Sequence, residues 1–398
     1  MSVNAYLTLP PGRGLALSHI WKTGMQKSIT GKGKRSALYT WPRLKIGYKY
    51  KLTSDAKQNW LKRRLFKYPD ELWGVPVWPD KTILTAQAAS GQKVISIESS
   101  ANRHFYEDRD AILIDPSDYT SYEAVTIDVL AADQITTAGN LANTWPANSL
   151  IFPLYYFHIP KGPEVIPQYI KYGTFQLEAT ESFESTPSFS YSLPASGADI
   201  YEGYDLLFIR PFKDGRKQPF EHRYSILQSL GPAYSESTYV ETLTPLEMSV
   251  RRTSRADLWT LQNFFDSKMG RLSPFWVPSW QADIVVTDQI ASADTQLTIE
   301  DIEYAAYWLP NDVTGRYIIL IWPDDTYVCR KILSAPTAMT LALDAAVGKD
   351  CASDTLPFLL VSFLHFSRFD LDELEMKYVT AAITAEQLSF SSVPGEFA

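Results

Sequence analysis

Any chemistry in this sequence would have to start from five histidines and a few paired acids. His19, His104, His158, His222 and His365 are scattered. None falls at the HxxxH or HExxH spacing that turns two imidazoles of one helix face toward zinc. His158 and His365 lie in apolar strand-like runs and are expected to be satisfied core or interface histidines. Asp108 with Asp110, Asp115 with Asp118, and Asp324 with Asp325 offer carboxylate oxygens to a cation. Their order is not that of an EF-hand loop, and acids so placed commonly hydrogen-bond their own turns. Gly31-Lys32-Gly33-Lys34-Arg35 lacks the earlier glycine and the following Ser or Thr of a phosphate loop. No GxSxG, no kinase-type HRD set and no recognised Cys-His spacing occurs. Two glycosidase carboxylates can lie far apart in sequence, so an envelope-polymer hydrolase remains an alternative with no motif behind it. The expectation is no catalytic residue, no cofactor and no metal.

The elements around these residues carry a clearer signal. Trp73-Gly74-Val75-Pro76-Val77-Trp78 returns as Phe275-Trp276-Val277-Pro278-Ser279-Trp280, 202 positions later. The same offset carries Thr85 to Ser90 onto Thr287 to Ser292, and Ile95 to Glu98 onto Leu297 to Glu300. The chain therefore reads as one unit written twice. Ahead of each phrase stand the same elements. Leu44, Ile46, Tyr48, Tyr50 and Leu52 alternate as a strand, and so do Leu246, Met248 and Val250. Ser54 and Ser254 are placed to cap helices, the first ending before Tyr68-Pro69 and the second at Gly270.

After each phrase comes a stretch of short strands and turns. Ala111 to Asp118 matches Ile318 to Asp325 at an offset of 207. Phe157-His158-Ile159 is set against Leu364-His365-Phe366 at the same offset, and Lys171 to Thr174 against Lys377 to Thr380 at 206. Leu15 to Gly24 is set against Leu206 to Gly215, which puts about eleven extra residues in the second copy near Leu230 to Thr244. Asp370 to Glu375 alternates acid and apolar residues, as an edge strand with a charged face would. The expected fold is mainly β with a minor helical part: a tandem duplication of a sandwich or barrel unit with a flanking helix, each copy carrying a small inserted β domain. Its segments are 1–79, the first part of copy one with a basic N-terminal arm; 80–159, the first insert; 160–190, return strands and linker; 191–282, the first part of copy two; 283–365, the second insert; and 366–398, return strands. The linker is placed at Pro187 to Tyr204.

Composition agrees with a sheet-rich protein. Eleven Trp, 23 Tyr, 19 Phe and 25 Pro favour short strands and turns over long helices. Cys329 and Cys351 make no disulfide framework, and two buried free thiols are the simpler reading. No leader-like or membrane-length apolar run occurs, so a soluble protein made in a cytoplasm is expected. Charge is uneven. Met1 to Lys67 holds 15 Lys or Arg against the single acid Asp55, a net +14, within a chain whose total is −8. A basic arm on an acidic body fits docking on an acidic neighbour as well as nucleic acid. The arm residues are Lys22, Lys27, Lys32, Lys34 and Arg35, in a segment expected to be mobile or ordered by a partner.

Arg255-Ala256-Asp257-Leu258, Phe264-Phe265-Asp266-Ser267-Lys268-Met269-Gly270-Arg271, Phe275 to Trp280 and Asp283 together resemble the distal-tail and tail-tip proteins of long-tailed phages and gene-transfer agents. Tyr204-Asp205-Leu206-Leu207 to Arg210-Pro211 is similar to another phrase of that group. The resemblance covers Tyr201 to Asp283 and extends more weakly over Arg35 to Asp80, where Lys67-Tyr68-Pro69-Asp70 replaces the Gly-Arg step. It implies a tail-tube-like fold and a virion structural protein of the tail tip, assembled in the host cytoplasm. Such a protein joins the tail tube to the hub and receptor-binding fibres. The implied partners are further copies of itself in a ring (a trimer with pseudo-sixfold symmetry, or a hexamer), the tube, hub and fibre proteins, and the tape-measure protein. Nucleic acid and a membrane span are not expected. Trp73, Pro76, Trp78, Phe275, Trp276, Pro278 and Trp280 are then packing and assembly residues between core and insert. The alternative is a carbohydrate- or cell-surface-binding module that uses the inserted β domains.

Overall fold

The structure, a computed structural model, describes residues 5–27, 33–68, 72–159, 164–169, 172–182, 191–212, 216–219, 224–227, 234–237, 245–380 and 383–397. The first half runs β1 (Ala5–Tyr6), β2 (Leu15–Ile20), β3 (Thr23–Lys27), β4 (Gly33–Ala37), β5 (Arg43–Leu52), α1 (Asp55–Lys67) and β6 (Leu72–Pro76). It continues through β7 (Thr82–Ile83), β8 (Val94–Ser96), β9 (Asp110–Ile114), β10 (Tyr122–Leu130), β11 (Gln134–Thr137), β12 (Leu150–His158), β13 (Val165–Tyr169) and β14 (Tyr172–Thr180). The second half runs β15 (Ile200–Tyr201), β16 (Tyr204–Asp205), β17 (Arg216–Lys217), β18 (Tyr224–Leu227), β19 (Tyr234–Ser237), β20 (Leu246–Arg252), α2 (Arg255–Ser267) and β21 (Phe275–Pro278). There follow β22 (Gln296–Thr298), α3 (Tyr304–Tyr307), β23 (Tyr317–Ile321), β24 (Tyr327–Thr337), β25 (Thr340–Leu343), β26 (Leu360–Phe369), β27 (Glu373–Tyr378) and β28 (Thr384–Ser392). The fold is mainly β.

Local sequence explains the elements that matter here. Along β5 every second side chain, from Leu44 to Leu52, is buried, as the two-residue period of a half-covered strand requires. Ser54 and Ser254 accept hydrogen bonds from the backbone N–H of Lys57 and Asp257, three residues on, so both helices start on the same cap. α2 ends on Met269 and Gly270, both with positive φ. At Gly270 a Cβ would lie 2.8 Å from the Asp372 carboxylate, so glycine is needed for space as well as conformation.

The two halves use the same strand pairings in the same order. Tyr6 bridges Gly74 in parallel, and Leu7 N–H donates to the Gly74 carbonyl at 2.9 Å. Leu206 bridges Trp276 in parallel, and Leu207 N–H donates to the Trp276 carbonyl at 2.9 Å. β2 pairs with β5 as β17 pairs with β20, and hairpin β3–β4 is matched by β18–β19. In the inserts, Ala111 faces Pro153 as Ile318 faces Phe363, and Ile135 faces Ile95 as Leu341 faces Leu297. Ala88 bridges Trp145 as Ile290 bridges Cys351. On return, Phe175 faces Tyr50 as Glu386 faces Val250.

These registers correct three expectations. The counterpart of Leu206 is Tyr6, not Leu15. Their separation of 200 equals that of the two N-cap serines, so no net extra residues lie between them. Phe157 pairs with Trp73 and Ser367 with Phe275, which sets His158 against Arg368 and not His365. Gly173 pairs with Leu52 and Thr384 with Arg252, an offset of 211 and not 206. Apolar strand runs look alike when slid by a few residues; only the pairing decides the register.

The large sheet runs β13-β14-β5-β2-β27-β28, and β28 passes on to β20 and β17. β27, expected to be an edge, is internal. It pairs with β2 at all six positions from Leu15 opposite Tyr378 to Ile20 opposite Glu373. Its acid–apolar alternation serves a two-sided strand: Leu374, Met376 and Tyr378 are buried, while Glu375 and Lys377 face out. One core then spans both halves, from Leu17, Tyr48 and Phe175 to Met248, Phe264 and Phe390. Each insert has its own smaller core, around Leu84, Leu113 and Ile135, and around Ile299, Ile318 and Leu341. β12 and β26 belong to both layers, with one end on the insert and the other on β6 or β21. The division at 365/366 therefore cuts β26. Of the expected linker, 187–190 lies outside the described residues, and β15–β16 forms a small hairpin.

Candidate functional site

The Trp/Pro phrases are inside the molecule. Trp73, Phe275, Trp276 and Trp280 are at most 2% exposed, Pro76 and Pro278 are buried, and Trp78 is half-buried. They form two matched sites, one per half, and are not brought together. Trp276 sits among Tyr317, Phe366, Phe397 and Tyr201, with ring centroids at 4.8, 5.0, 5.2 and 6.2 Å, and its indole N–H donates to the Tyr201 carbonyl at 3.1 Å. Its counterpart is Gly74, where a Cβ would come within 2.6 Å of the Tyr6 ring. One half fills this place with its own tryptophan and the other with the N-terminal tyrosine. Trp78 packs on Phe152 at 4.6 Å, and Trp280, at φ 56°, on Phe208 at 5.0 Å. No ring of the buried set is presented as a platform for a sugar.

The basic segment is a hairpin, not a loose arm. β3 and β4 pair at five positions from Thr23 opposite Ala37 to Lys27 opposite Gly33. Asp372 fastens its base, accepting from Thr23 N–H at 2.8 Å and Thr23 Oγ1 at 2.9 Å, and also from Arg271 N–H at 3.0 Å. Lys22 and Lys34 are exposed. Arg35 reaches back to Glu396 at 3.5 Å, and Lys32 lies outside the described residues.

Sequence spacing gave no sign that His19 and His104 meet. His19 on β2 and His104 at the edge of the first insert place their Nε2 atoms 2.7 Å apart, both rings buried. His19 Nδ1 lies 3.0 Å from Asp266 of α2, which also accepts from the Trp21 indole N–H at 2.8 Å. His104 Nδ1 contacts Asp80, and Asp80 accepts from Arg255 Nη1 at 2.8 Å. Each Nδ1 lies against a carboxylate, and the two Nε2 atoms face each other. The Gln262 amide N–H also reaches His104 Nε2, at 3.1 Å. Burial pushes the His104 pKa down. His104 and Arg255 hold the Asp80 carboxyl down at about 2 although it is buried. Only the fold brings together positions 19, 80, 104, 255 and 266.

This cluster borders a cavity of about 20 Å³ between His19, His104, Arg109 and Glu181. That is room for a water, not for a substrate. Asp115 accepts from Ser117 N–H at 2.7 Å, Asp118 from Thr120 N–H at 2.9 Å and Asp324 from Thr326 N–H at 3.2 Å, all within their own turns, whereas Asp110 accepts from Thr126 Oγ1 at 2.6 Å across the β9–β10 pair. His365 is buried, and burial lowers its pKa to about 4, whereas His158 is exposed at a strand end. Cys329 and Cys351 are free, with Cys329 pushed up to about 12 by burial. Among the described residues no group of three metal-ligating side chains gathers, and no helix is long and apolar enough to cross a membrane.

These features define a class, a mainly β protein whose halves share one pairing scheme and join edge to edge. No protein-family model matches the chain, and no curated protein matches it in sequence.

Proposed function

We propose that this chain is a virion structural protein of a phage tail tip. It carries two tandem tube-like units and takes two neighbouring seats in a ring, three chains giving a pseudo-sixfold assembly that joins tail tube to hub and fibres. The observation that carries this reading is the seam. β2 of the first half pairs with β27 of the second, so the two units meet through unlike edges. Contacts of that head-to-tail kind generate rings when the rotation closes, whereas like-to-like contacts stop at a pair. The matched pairings of the two halves support reading them as copies of one unit. The buried Trp/Pro phrases fit packing roles, and the resemblance over Tyr201 to Asp283 supplies the tail-tip setting. Catalysis has no place in this reading. The glycan-binding alternative draws less support, because Trp145 and Trp322 of the inserts are buried. Mass photometry and negative-stain imaging of the full chain test the proposal. Closed rings of a fixed number of chains are expected, and particles that stay monomeric up to assembly concentrations would refute it.

A further inference from the structure

The seam inside the chain has two matched partners that are not paired to each other. In the second half β17 takes the place of β2: Lys217 faces Glu247 on β20, as Ala16 faces Gly47 on β5. In the first half β13 takes the place of β27: Ile166 faces Thr174 on β14, as Lys377 faces Ala385 on β28. β17 and β13 lie at the two ends of the joined set, and among the described residues neither pairs with a further strand on its outer side. Unpaired edges are normally shortened, charged or covered, because they recruit other strands.

We infer that these edges are the docking surface for a second copy of this chain, β17 of one molecule adding antiparallel to β13 of the next in the register of the β2–β27 seam. This rests on the ring reading above and specifies its contact. The register follows from the seam by matching positions. Ala16 opposite Lys377 becomes Lys217 opposite Ile166 of the neighbour, and Leu17 opposite Met376 becomes Gln218 opposite Val165. Lys217 and Glu164 are both exposed, and this register sets them on diagonal positions of adjacent strands, within reach of an ion pair. Backbone bonds supply the attraction, as in other strand-addition contacts, and the matched register supplies the specificity.

The test is a cross-link in the full chain. Lys217→Cys with Ile166→Cys in one molecule, oxidised under assembly conditions, should give a ladder of covalent oligomers that ends at the ring number. Neither single variant should do so. Ala16→Cys with Lys377→Cys, the same pair at the internal seam, should close within one chain and shows that the geometry forms a bond. Rings without the Lys217–Ile166 ladder, while the internal pair closes, would overturn the edge assignment and leave the ring reading standing. A Lys217–Ile166 bond that forms only within one chain would overturn the assignment too. Monomers without any ladder would overturn both.

Discussion

Asp80→Asn isolates the buried tie between the first insert and α2. The wild-type carboxylate is 1% exposed and held between His104 and Arg255. Asparagine keeps the size but loses the charge, leaving a guanidinium and an imidazole facing a neutral amide. Removing one partner of a buried ion pair costs about 3–5 kcal/mol, because the remaining charge stays desolvated. The pH dependence gives a second reading. The folded pKa of about 2 lies below the unfolded value near 3.8, so Asp80 contributes stability above that value and loses it as pH falls through 2. The difference is worth roughly 2 kcal/mol. Urea unfolding at pH 7 should show a lowered midpoint for the variant. The wild type should lose stability between pH 4 and 2 more steeply than the variant does. Adding Arg255→Met should return part of the loss, since the unpaired cation goes with it. A cost under about 1 kcal/mol at pH 7, or strictly additive single and double variants, would refute a coupled buried pair.

Four further outcomes follow from the packing and the buried groups. Trp276→Ala should cost about 3–5 kcal/mol in chemical unfolding, while Trp78→Ala, at a half-exposed ring, should cost visibly less. His365 has a folded pKa of about 4, below its unfolded 6.5, so its contribution is complete above pH 6.5 and is lost as pH falls to 4. This amounts to roughly 3 kcal/mol, and His365→Leu should flatten that limb of the stability–pH curve. Replacing residues 24–36 by a short turn should leave the monomer's unfolding midpoint nearly unchanged and weaken assembly, read as a lower ring fraction in mass photometry. Deleting residues 1–35 removes β2 with the hairpin and should unfold the seam.

What could be read from the residues was what repeats locally. The strand period of Leu44 to Leu52, the serine caps and the Trp/Pro phrases each lie within a dozen residues, and each is where its pattern placed it. Register between distant strands could not be read, because Phe157-His158-Ile159 and Leu364-His365-Phe366 are equally good apolar matches at the wrong offset. The polar cluster was invisible for a related reason. His19, His104 and Asp266 come from three elements, and no spacing along the chain encodes their meeting. Asp370 to Glu375 was misread because an outward charged face marks any strand with one side in solvent, whether edge or internal.

The same position in the two halves shows what sets strand length. β2, paired on both sides, runs for six residues; β17, its counterpart, is paired on one side and runs for two. β2 reads Leu-Ala-Leu-Ser-His-Ile, while the residues in register with it begin Arg216-Lys217-Gln218-Pro219, with two charges and a proline. Proline is tolerated on an edge and excluded from the middle of a sheet. The second half therefore cannot repeat the full six-residue seam, and a contact made there is shorter than the internal one. In the proposed ring, a short contact between chains beside the long one within the chain would let the monomer fold first and associate afterwards. Extending β17 by Pro219→Val should then raise association and with it the tendency to form open strings, since a stronger edge adds strands without regard to ring closure.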